Sequence, residues 1–122
     1  MNVQILGTVS NGYAAFRLQS SIAEISLLEN NTWMFNRLLV PSKFRGQGYG
    51  TLLLKSVVKF CHENNLSLLC PINPYGDLNY EQLFNFYTRH GFVPLEDGLI
   101  LKGVYSKESN TELNLNDIEQ IT

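Results

Sequence analysis

The sequence lacks the features by which membrane and secreted proteins are recognised. It has no run of about 18 apolar residues, the length that a membrane-spanning helix needs. Its first residues have neither the basic start nor the long apolar stretch of a signal peptide. It has only two cysteines, Cys61 and Cys70, which we interpret as reduced thiols. We therefore expect a cytoplasmic protein that makes no membrane contact.

The sequence also lacks an excess of basic residues. Its 122 residues include 9 Lys and Arg against 11 Asp and Glu, which gives a net charge of −2. Proteins that bind nucleic acids usually carry a basic excess or basic patches, so we expect no nucleic-acid partner. Apolar residues make up 44% of the chain, enough for one continuous core. We predict a single domain over residues 1–105, followed by a polar, acidic segment, 106–122, that is a tail or a short helix.

The first third of the sequence is typical of antiparallel strands. Apolar stretches alternate with turn-forming residues, and Asn11-Gly12 is a strong signal for a hairpin turn. The last stretch of this region is more continuously apolar, which predicts a strand buried on both faces. The predicted strands are Val3–Val9, Tyr13–Leu18, Ile22–Leu28 and Trp33–Val40.

The rest of the sequence alternates between helix and strand. Apolar residues at helical spacing predict a helix over Thr51–Glu63. The short apolar run Leu66–Ile72 predicts a strand, and because it follows a strand and a helix, we expect it to lie parallel to Trp33–Val40. A second helix is predicted over Tyr80–His90, before a final hairpin.

The order of these elements predicts the fold class. Asn79 and Gln82 have the spacing of a capping box at the start of the second helix, which supports that helix. We predict an α+β fold with a mixed, mostly antiparallel twisted sheet of about 6–7 strands. A parallel pair lies at the centre of this sheet, and about two main helices pack on it.

Three glycines, Gly46, Gly48 and Gly50, lie between the fourth predicted strand and the first helix. A helix N-terminus has unpaired backbone N–H groups and a partial positive charge, and glycine lets the backbone approach a ligand closely. The combination predicts a site for phosphate or pyrophosphate, to which Arg45 could add charge-assisted contacts. A P-loop is excluded because no Lys precedes Thr51, and the spacing is not that of the dinucleotide fingerprint.

Two motifs resemble those of the GCN5-related N-acetyltransferase (GNAT) family. In "LLVPSKFRGQGYGTLLL", the pattern R-x-x-G-x-G follows a strand that ends in an apolar residue, Val and Pro, and it is similar to the acyl-CoA loop of that family. In "LFNFYTRHGFVPL", the residues Tyr87, Gly91 and Phe92 match the end of the family's later helix and the start of the next strand. The resemblance covers about Trp33 to Val104.

The resemblance implies an N-acetyltransferase that moves an acetyl group from acetyl-CoA, its cosubstrate, to a primary amine. The amine would attack the thioester directly in a ternary complex, and the pantetheine would lie between two parallel strands that separate at their C-terminal ends. Tyr87 matches the family's general acid, which protonates the leaving thiolate. No metal site is assigned. The residues implied in binding acetyl-CoA are Leu38, Leu39, Val40, Arg45, Gly46, Gln47, Gly48, Tyr49, Gly50 and Thr51.

The sequence departs from the family pattern in two places. Many relatives carry a Glu on the strand after the first helix, whereas this chain has Cys70, and a thiol is a poor base at neutral pH. Glu24, Glu29 and a water chain are the candidate bases. Relatives also place two helices between their first two strands, where this chain has a turn at Asn11-Gly12. The acceptor side would then be open, unless a partner subunit or the "NPYGDLNY" loop closes it. An open side suits a protein lysine or N-terminus, and a homodimer is compatible with the sequence.

Two other interpretations remain open. One is a CoA-binding or protein-binding module that keeps the fold without turnover, which both departures favour. The other is a toxin-like acetyltransferase acting on aminoacyl-tRNA, which the lack of basic excess disfavours.

Overall fold

The computed structural model describes residues 2–73, 78–96 and 98–103. The segment 106–122, predicted as a tail or a short helix, lies outside these residues, as does Asp97 of the predicted final turn. The strands are β1 (Gln4–Thr8), β2 (Tyr13–Leu18), β3 (Ser21–Glu29), β4 (Thr32–Leu39), β5 (Ser67–Cys70), β6 (Val93–Leu95) and β7 (Gly98–Leu101). The helices are α1 (Tyr49–Glu63) and α2 (Tyr80–Thr88), and a 3₁₀ turn covers Ser42–Phe44.

The seven strands form one sheet in the order β1-β2-β3-β4-β5-β7-β6. The pair β4 and β5 is parallel, and α1 makes the crossover between them; the other neighbouring pairs are antiparallel. This confirms the predicted α+β fold, with its mostly antiparallel sheet, central parallel pair and two main helices. The prediction that one domain ends near residue 105 stays a prediction.

Both helices pack on the same face of the sheet. Phe60 of α1 contacts Trp33 of β4 with a ring-centroid distance of 6.4 Å, and Tyr87 of α2 contacts Phe35 of the same strand at 5.8 Å. Residues two apart on a strand point to the same face, so α1 and α2 cover one side, which we call the helix face. The prediction that β4 is buried on both faces was wrong, because only its helix-face residues are buried.

The opposite side of the sheet, which we call the outer face, has no helix on it among the described residues. β1 connects directly to β2 through the four residues 9–12, and Gly12 takes a positive φ of 72° in this turn. The hairpin predicted from Asn11-Gly12 is therefore confirmed, and no helices lie between these strands. Outer-face side chains such as Tyr13 and Leu39 are each 40% exposed.

Several element boundaries differ from the predicted ones. α1 begins at Tyr49 instead of Thr51, because Gly48 adopts the left-handed conformation and acts as the N-cap. β5 ends at Cys70 instead of Ile72, because its pairing with β7 ends there. The start of α2 is as predicted, since Asn79 and Gln82 form both hydrogen bonds of the capping box.

Candidate active site

The parallel strands β4 and β5 pair only over their first residues. Their register runs from Thr32 opposite Ser67 to Met34 opposite Leu69, and β4 then continues to Leu39 beyond the part that pairs with β5. A β-bulge at Asn36 shifts the pairing of β4 with β3 at this point. Because a bulge bends its strand, we attribute the separation of the two strands to it. The strands thus diverge into a fork, as the sequence resemblance implied.

A cleft of about 320 Å³ lies in this fork. One wall is the second half of β4, and the opposite side is the end of β5 with the residues that follow it. Two residues of α2, Leu83 and Tyr87, close the cleft on the helix face. The lining residues are Phe35, Asn36, Arg37, Leu38, Leu39, Cys70, Pro71, Asn73, Leu83 and Tyr87.

Tyr87 is held firmly at the side of this cleft. Its side chain is in edge-to-face contact with Phe35, Phe86 and Phe92, at centroid distances of 5.8, 5.3 and 5.6 Å. The residue is only 6% exposed, and its hydroxyl makes a hydrogen bond with the thiol of Cys70. The aromatic contacts fix the ring, so the phenol is positioned to reach a group bound in the fork.

Cys70 occupies the fork but has no basic character. Burial raises the pKa of its thiol to about 12, although the hydrogen bond from Tyr87 acts in the opposite direction. A thiol with such a pKa stays protonated at neutral pH, and it is the thiolate that reacts as a nucleophile. Cys70 therefore acts neither as a base nor as a ready nucleophile.

The glycine turn forms a second groove next to the cleft. Gly46 and Gly48 have φ of 78° and 84°, a backbone conformation that other residues rarely adopt. A Cβ atom added at either glycine would meet no atom within 4 Å, so the backbone faces open space. The groove has a volume of about 350 Å³ and shares two lining residues, Leu38 and Leu83, with the cleft. The two concavities therefore adjoin along β4.

The residues predicted to bind the cofactor fall along this path. Leu38 lines both concavities, Leu39 lines the cleft and Val40 lines the groove. The register between β4 and β5 ends at Met34, so the cleft lies beside the part of β4 that β5 does not cover. The groove is also lined by Arg45, Gly46, Gly48, Tyr49, Gly50 and Thr51.

Two predicted cofactor-binding side chains instead stabilise the turn itself. Arg45 donates a hydrogen bond from Nε to the carbonyl oxygen of Val40, at 2.9 Å. Gln47 donates from Nε2 to the carbonyl oxygen of Lys43, at 3.1 Å. In this structure their side chains hold the loop, and their contact with a pyrophosphate stays a prediction.

The two candidate glutamates lie at opposite ends of β3. Glu24 is opposite Arg37, which lines the cleft, whereas Glu29 is opposite Thr32 at the closed end of the fork. Sequence analysis could not separate these candidates, because the strand register was unknown. Arg37 and Phe35 were not predicted as site residues. The alternation of side chains between the two faces of the predicted strand was the available signal for them, but the bulge at Asn36 interrupts that alternation.

The described parts of the chain contain neither a metal-binding cluster nor a membrane-spanning helix. No group of three or more His, Cys, Asp or Glu side chains is placed to hold a metal ion there. The helices found there include none with the length and apolarity required to cross a membrane.

The seven-stranded sheet, the fork between β4 and β5 and the glycine turn before α1 together have the architecture that the sequence resemblance implied. A sequence profile of the acetyltransferase (GNAT) domain matches residues 4–94, most of the chain. The chain therefore belongs to the GNAT family. No protein with a curated description matches the sequence.

Solved structures of other proteins share this fold. The anti-CRISPR protein AcrVA5 has a TM-score of 0.61 and 21% identity, over 73% of this chain and 96% of that one. The ribosomal-protein-S18-alanine N-acetyltransferase from Escherichia coli has a TM-score of 0.60 and 14% identity, over 81% and 73%. A GNAT family acetyltransferase from Elizabethkingia anophelis, with acetyl-CoA bound, has a TM-score of 0.53 and 20% identity, over 69% and 55%. At these identities the similarity shows the fold alone.

Proposed function

We propose that the protein transfers an acetyl group from acetyl-CoA to a primary amine of a protein, by direct attack in a ternary complex. The observation that carries this proposal is the fork between β4 and β5, with Tyr87 at its side and the glycine turn adjoining it. Membership of the GNAT family supports acyl transfer in general. The acetyl group, the amine and the protein acceptor are our more specific assignments.

Acetyl-CoA would lie along β4 beyond the end of its pairing with β5. The pantetheine amides would bond to backbone groups of Leu38, Leu39 and Val40, and the pyrophosphate would accept hydrogen bonds from the N–H groups of residues 46–51. The open space at Gly46 and Gly48 and the start of α1 beside them favour an anion here. An acetyl-CoA complex of a protein with the same fold supports this cosubstrate.

The chemistry requires the movement of two protons. The acceptor ammonium gives its first proton to Glu24, directly or through water, and the neutral nitrogen attacks the thioester carbonyl carbon. The C–S bond then breaks, and the hydroxyl of Tyr87 protonates the departing sulfur while regaining a proton from the nitrogen. The products are the amide, free CoA and one proton released from Glu24 to water. We choose Glu24 over Glu29 because Glu29 lies at the closed end of the fork.

A protein acceptor is favoured by the uncovered outer face. The direct connection of β1 to β2 leaves the outer side of the fork free of helices within the described residues, so a large surface could approach. The structural neighbour named for ribosomal-protein S18 alanine acts on a protein, which is consistent with this choice. A cytoplasmic location agrees with this assignment.

The second candidate is a CoA-binding module without turnover. It is favoured by Cys70, which stands near the place of a catalytic carboxylate in many relatives and whose pKa of about 12 rules it out as a base. The two candidates agree on ligand binding and differ on turnover, so binding and acetyl transfer must be measured separately.

The first experiment is thermal melting with and without acetyl-CoA, for the parent, Gly48→Gln and Gly48→Glu. Both variants bear the same backbone strain at φ 84° and nearly the same volume, so their difference reports charge next to the pyrophosphate. A ligand at 100 times its Kd adds about 2.7 kcal/mol of stability, a shift on the order of ten degrees. We expect this shift in the parent and its loss with Glu, with a larger part retained by Gln.

Acetyl transfer to lysine peptides, followed by mass spectrometry, then separates the two candidates. A melting shift with peptide acetylation supports the enzyme, and a melting shift without it supports the binding module. No shift of the parent at saturating acetyl-CoA would contradict the cosubstrate assignment.

A further inference from the structure

Three side chains from neighbouring strands form a polar cluster on the outer face. Glu24 of β3 accepts a hydrogen bond from the Tyr13 hydroxyl of β2, with an Oη–Oε2 distance of 2.5 Å. Its other carboxylate oxygen is 3.3 Å from Nε of Arg37 on β4. The hydrogen bond to Glu24 also raises the pKa of Tyr13. Each oxygen of the Glu24 carboxylate is thus already engaged by one partner.

Arg37 connects this cluster to the cleft. It lies opposite Glu24 in the register of β3 and β4, and it also lines the cleft in the fork. Leu83 and Tyr87 line the cleft on the helix face, and Arg37 lines it on the outer face. In the proposed function the acceptor therefore enters from the outer face, past Arg37. The inference that follows rests on the proposed function, because it concerns the acceptor of that reaction.

The ion pair between Arg37 and Glu24 can be replaced by a pair with another carboxylate at little cost in free energy. The side chain of Arg37 is 52% exposed and that of Glu24 is 23% exposed, so water screens their attraction. Measured pairs of this kind contribute little to stability. The contact joins Nε of Arg37 to one carboxylate oxygen of Glu24 at 3.3 Å. A guanidinium in this state can bind an incoming carboxylate through two parallel hydrogen bonds, which is a stronger arrangement.

We propose that Arg37 recognises a carboxylate next to the acceptor amine, so that the preferred acceptor is an amine in an acidic segment of polypeptide. When the carboxylate of the acceptor binds Arg37, one oxygen of Glu24 is released from its ion pair. That oxygen then accepts a hydrogen bond from the ammonium of the acceptor. The ammonium lies on the side of the cleft. Arg37 is in this scheme a residue that determines specificity, and it touches the acceptor beside the reacting nitrogen.

The test compares three peptides of equal length, each with a single lysine and a blocked N-terminus. The residues on both sides of the lysine are Glu, Gln or Arg, and kcat/KM is measured at saturating acetyl-CoA. We expect the Glu peptide to exceed the Gln peptide about tenfold, a factor that one charge-assisted hydrogen bond supports. The Arg peptide should be the poorest, because its positive charges repel Arg37.

Matched arginine variants identify the residue responsible. In Arg37→Gln the ratio between the Glu and Gln peptides should fall to about one, while Arg37→Lys should keep part of it. Arg17→Gln is the control, because Arg17 is an exposed outer-face arginine opposite Ile22 and does not line the cleft. It should keep the full ratio. The melting shift with acetyl-CoA should be the same in all these variants.

The outcomes separate this inference from the function on which it rests. Equal kcat/KM for the Glu and Gln peptides in the parent, or a ratio that survives in Arg37→Gln, overturns the inference and leaves the acetyltransferase assignment intact. If the parent acetylates none of the three peptides although acetyl-CoA raises its melting temperature, both the assignment and the inference are overturned. A preference for the Glu peptide that is lost only in Arg37→Gln supports the inference.

Discussion

The substitution Tyr87→Phe tests the proposed role of this phenol as the general acid. It removes one oxygen atom and keeps the ring, whose contacts with Phe35, Phe86 and Phe92 are at 5.3 to 5.8 Å. The structural loss is the hydrogen bond with Cys70. Such a bond contributes about 1 kcal/mol, so we expect the melting temperature to fall by about five degrees.

The expected loss of activity is much larger than the loss of stability. General acid–base catalysis contributes about 10²- to 10⁴-fold, and the positioning of the two substrates is left intact by this change. We expect kcat to fall about 10- to 1000-fold, which corresponds to about 1.4 to 4 kcal/mol of transition-state stabilisation. The melting shift with acetyl-CoA should be unchanged, because backbone groups are expected to hold the cosubstrate.

The assay follows the release of CoA with a thiol reagent at saturating acetyl-CoA and peptide. The two cysteines of the protein should interfere little, because burial raises the pKa of each thiol to about 12. The control is Tyr80→Phe, the same substitution on the same helix at a residue that is 53% exposed and stacks on Phe84. It should keep both kcat and the melting shift.

Three results would contradict this reasoning. If kcat of Tyr87→Phe stays within about threefold of the parent, the phenol is not the acid, because acid catalysis of the expected size is absent. If kcat of Tyr80→Phe falls as far as that of Tyr87→Phe, the effect belongs to the helix instead of the phenol. A lost melting shift in Tyr87→Phe would mean that the hydroxyl is needed for binding acetyl-CoA.

The remaining predictions concern the base, the thiols and the cap of α2. Glu24→Gln should lower kcat/KM for the acceptor by about 10²-fold, whereas Glu29→Gln, at the closed end of the fork, should change it by less than threefold; equal effects in steady-state assays would contradict the assignment of the base. Burial raises the pKa of Cys61 and Cys70 from 9.0 to about 12, so the unfolded chain loses these protons first as pH rises. The free energy of unfolding should therefore fall between pH 9 and 12, by up to about 1.4 kcal/mol per pH unit for each thiol. Urea unfolding of Cys61→Ala and Cys70→Ala should show a shallower fall with pH than that of the parent. An unchanged slope would argue against buried, protonated thiols. Asn79→Ala removes the side-chain oxygen that accepts a hydrogen bond from the backbone N–H of Gln82 at 2.9 Å, and it should destabilise the protein by about 1 kcal/mol. This loss should appear as a lower melting temperature. An unchanged melting temperature would show that the capping box contributes nothing to stability.

The sequence predicted those parts of the fold that depend on neighbouring residues. Asn11-Gly12 predicted the first hairpin, and the spacing of Asn79 and Gln82 predicted the cap of α2, because each signal acts within four residues. The glycine turn before α1 was predicted in the same way, although the helix begins two residues earlier than expected. The left-handed conformation of Gly48, which sets that beginning, is visible only in the structure.

The sequence predicted less of the candidate site. The motifs indicated the glycine turn and Tyr87, but they could not show that Arg45 and Gln47 bond their own loop. They also gave no reason to choose between Glu24 and Glu29. Strand register decides this choice, and a slip of one residue would place every side chain on the opposite face.

By itself, the sequence determined the order of strands and helices, the turns between them and the place of the glycine turn, because these follow from local backbone preferences and hydrophobic periodicity. Only the tertiary structure decided how far β4 and β5 stay paired, where the bulge at Asn36 opens the fork, and which side chains meet across the outer face. Tyr13, Glu24 and Arg37 are distant in the chain and adjacent in the sheet. Their contact depends on pairing between strands, which local sequence patterns do not specify.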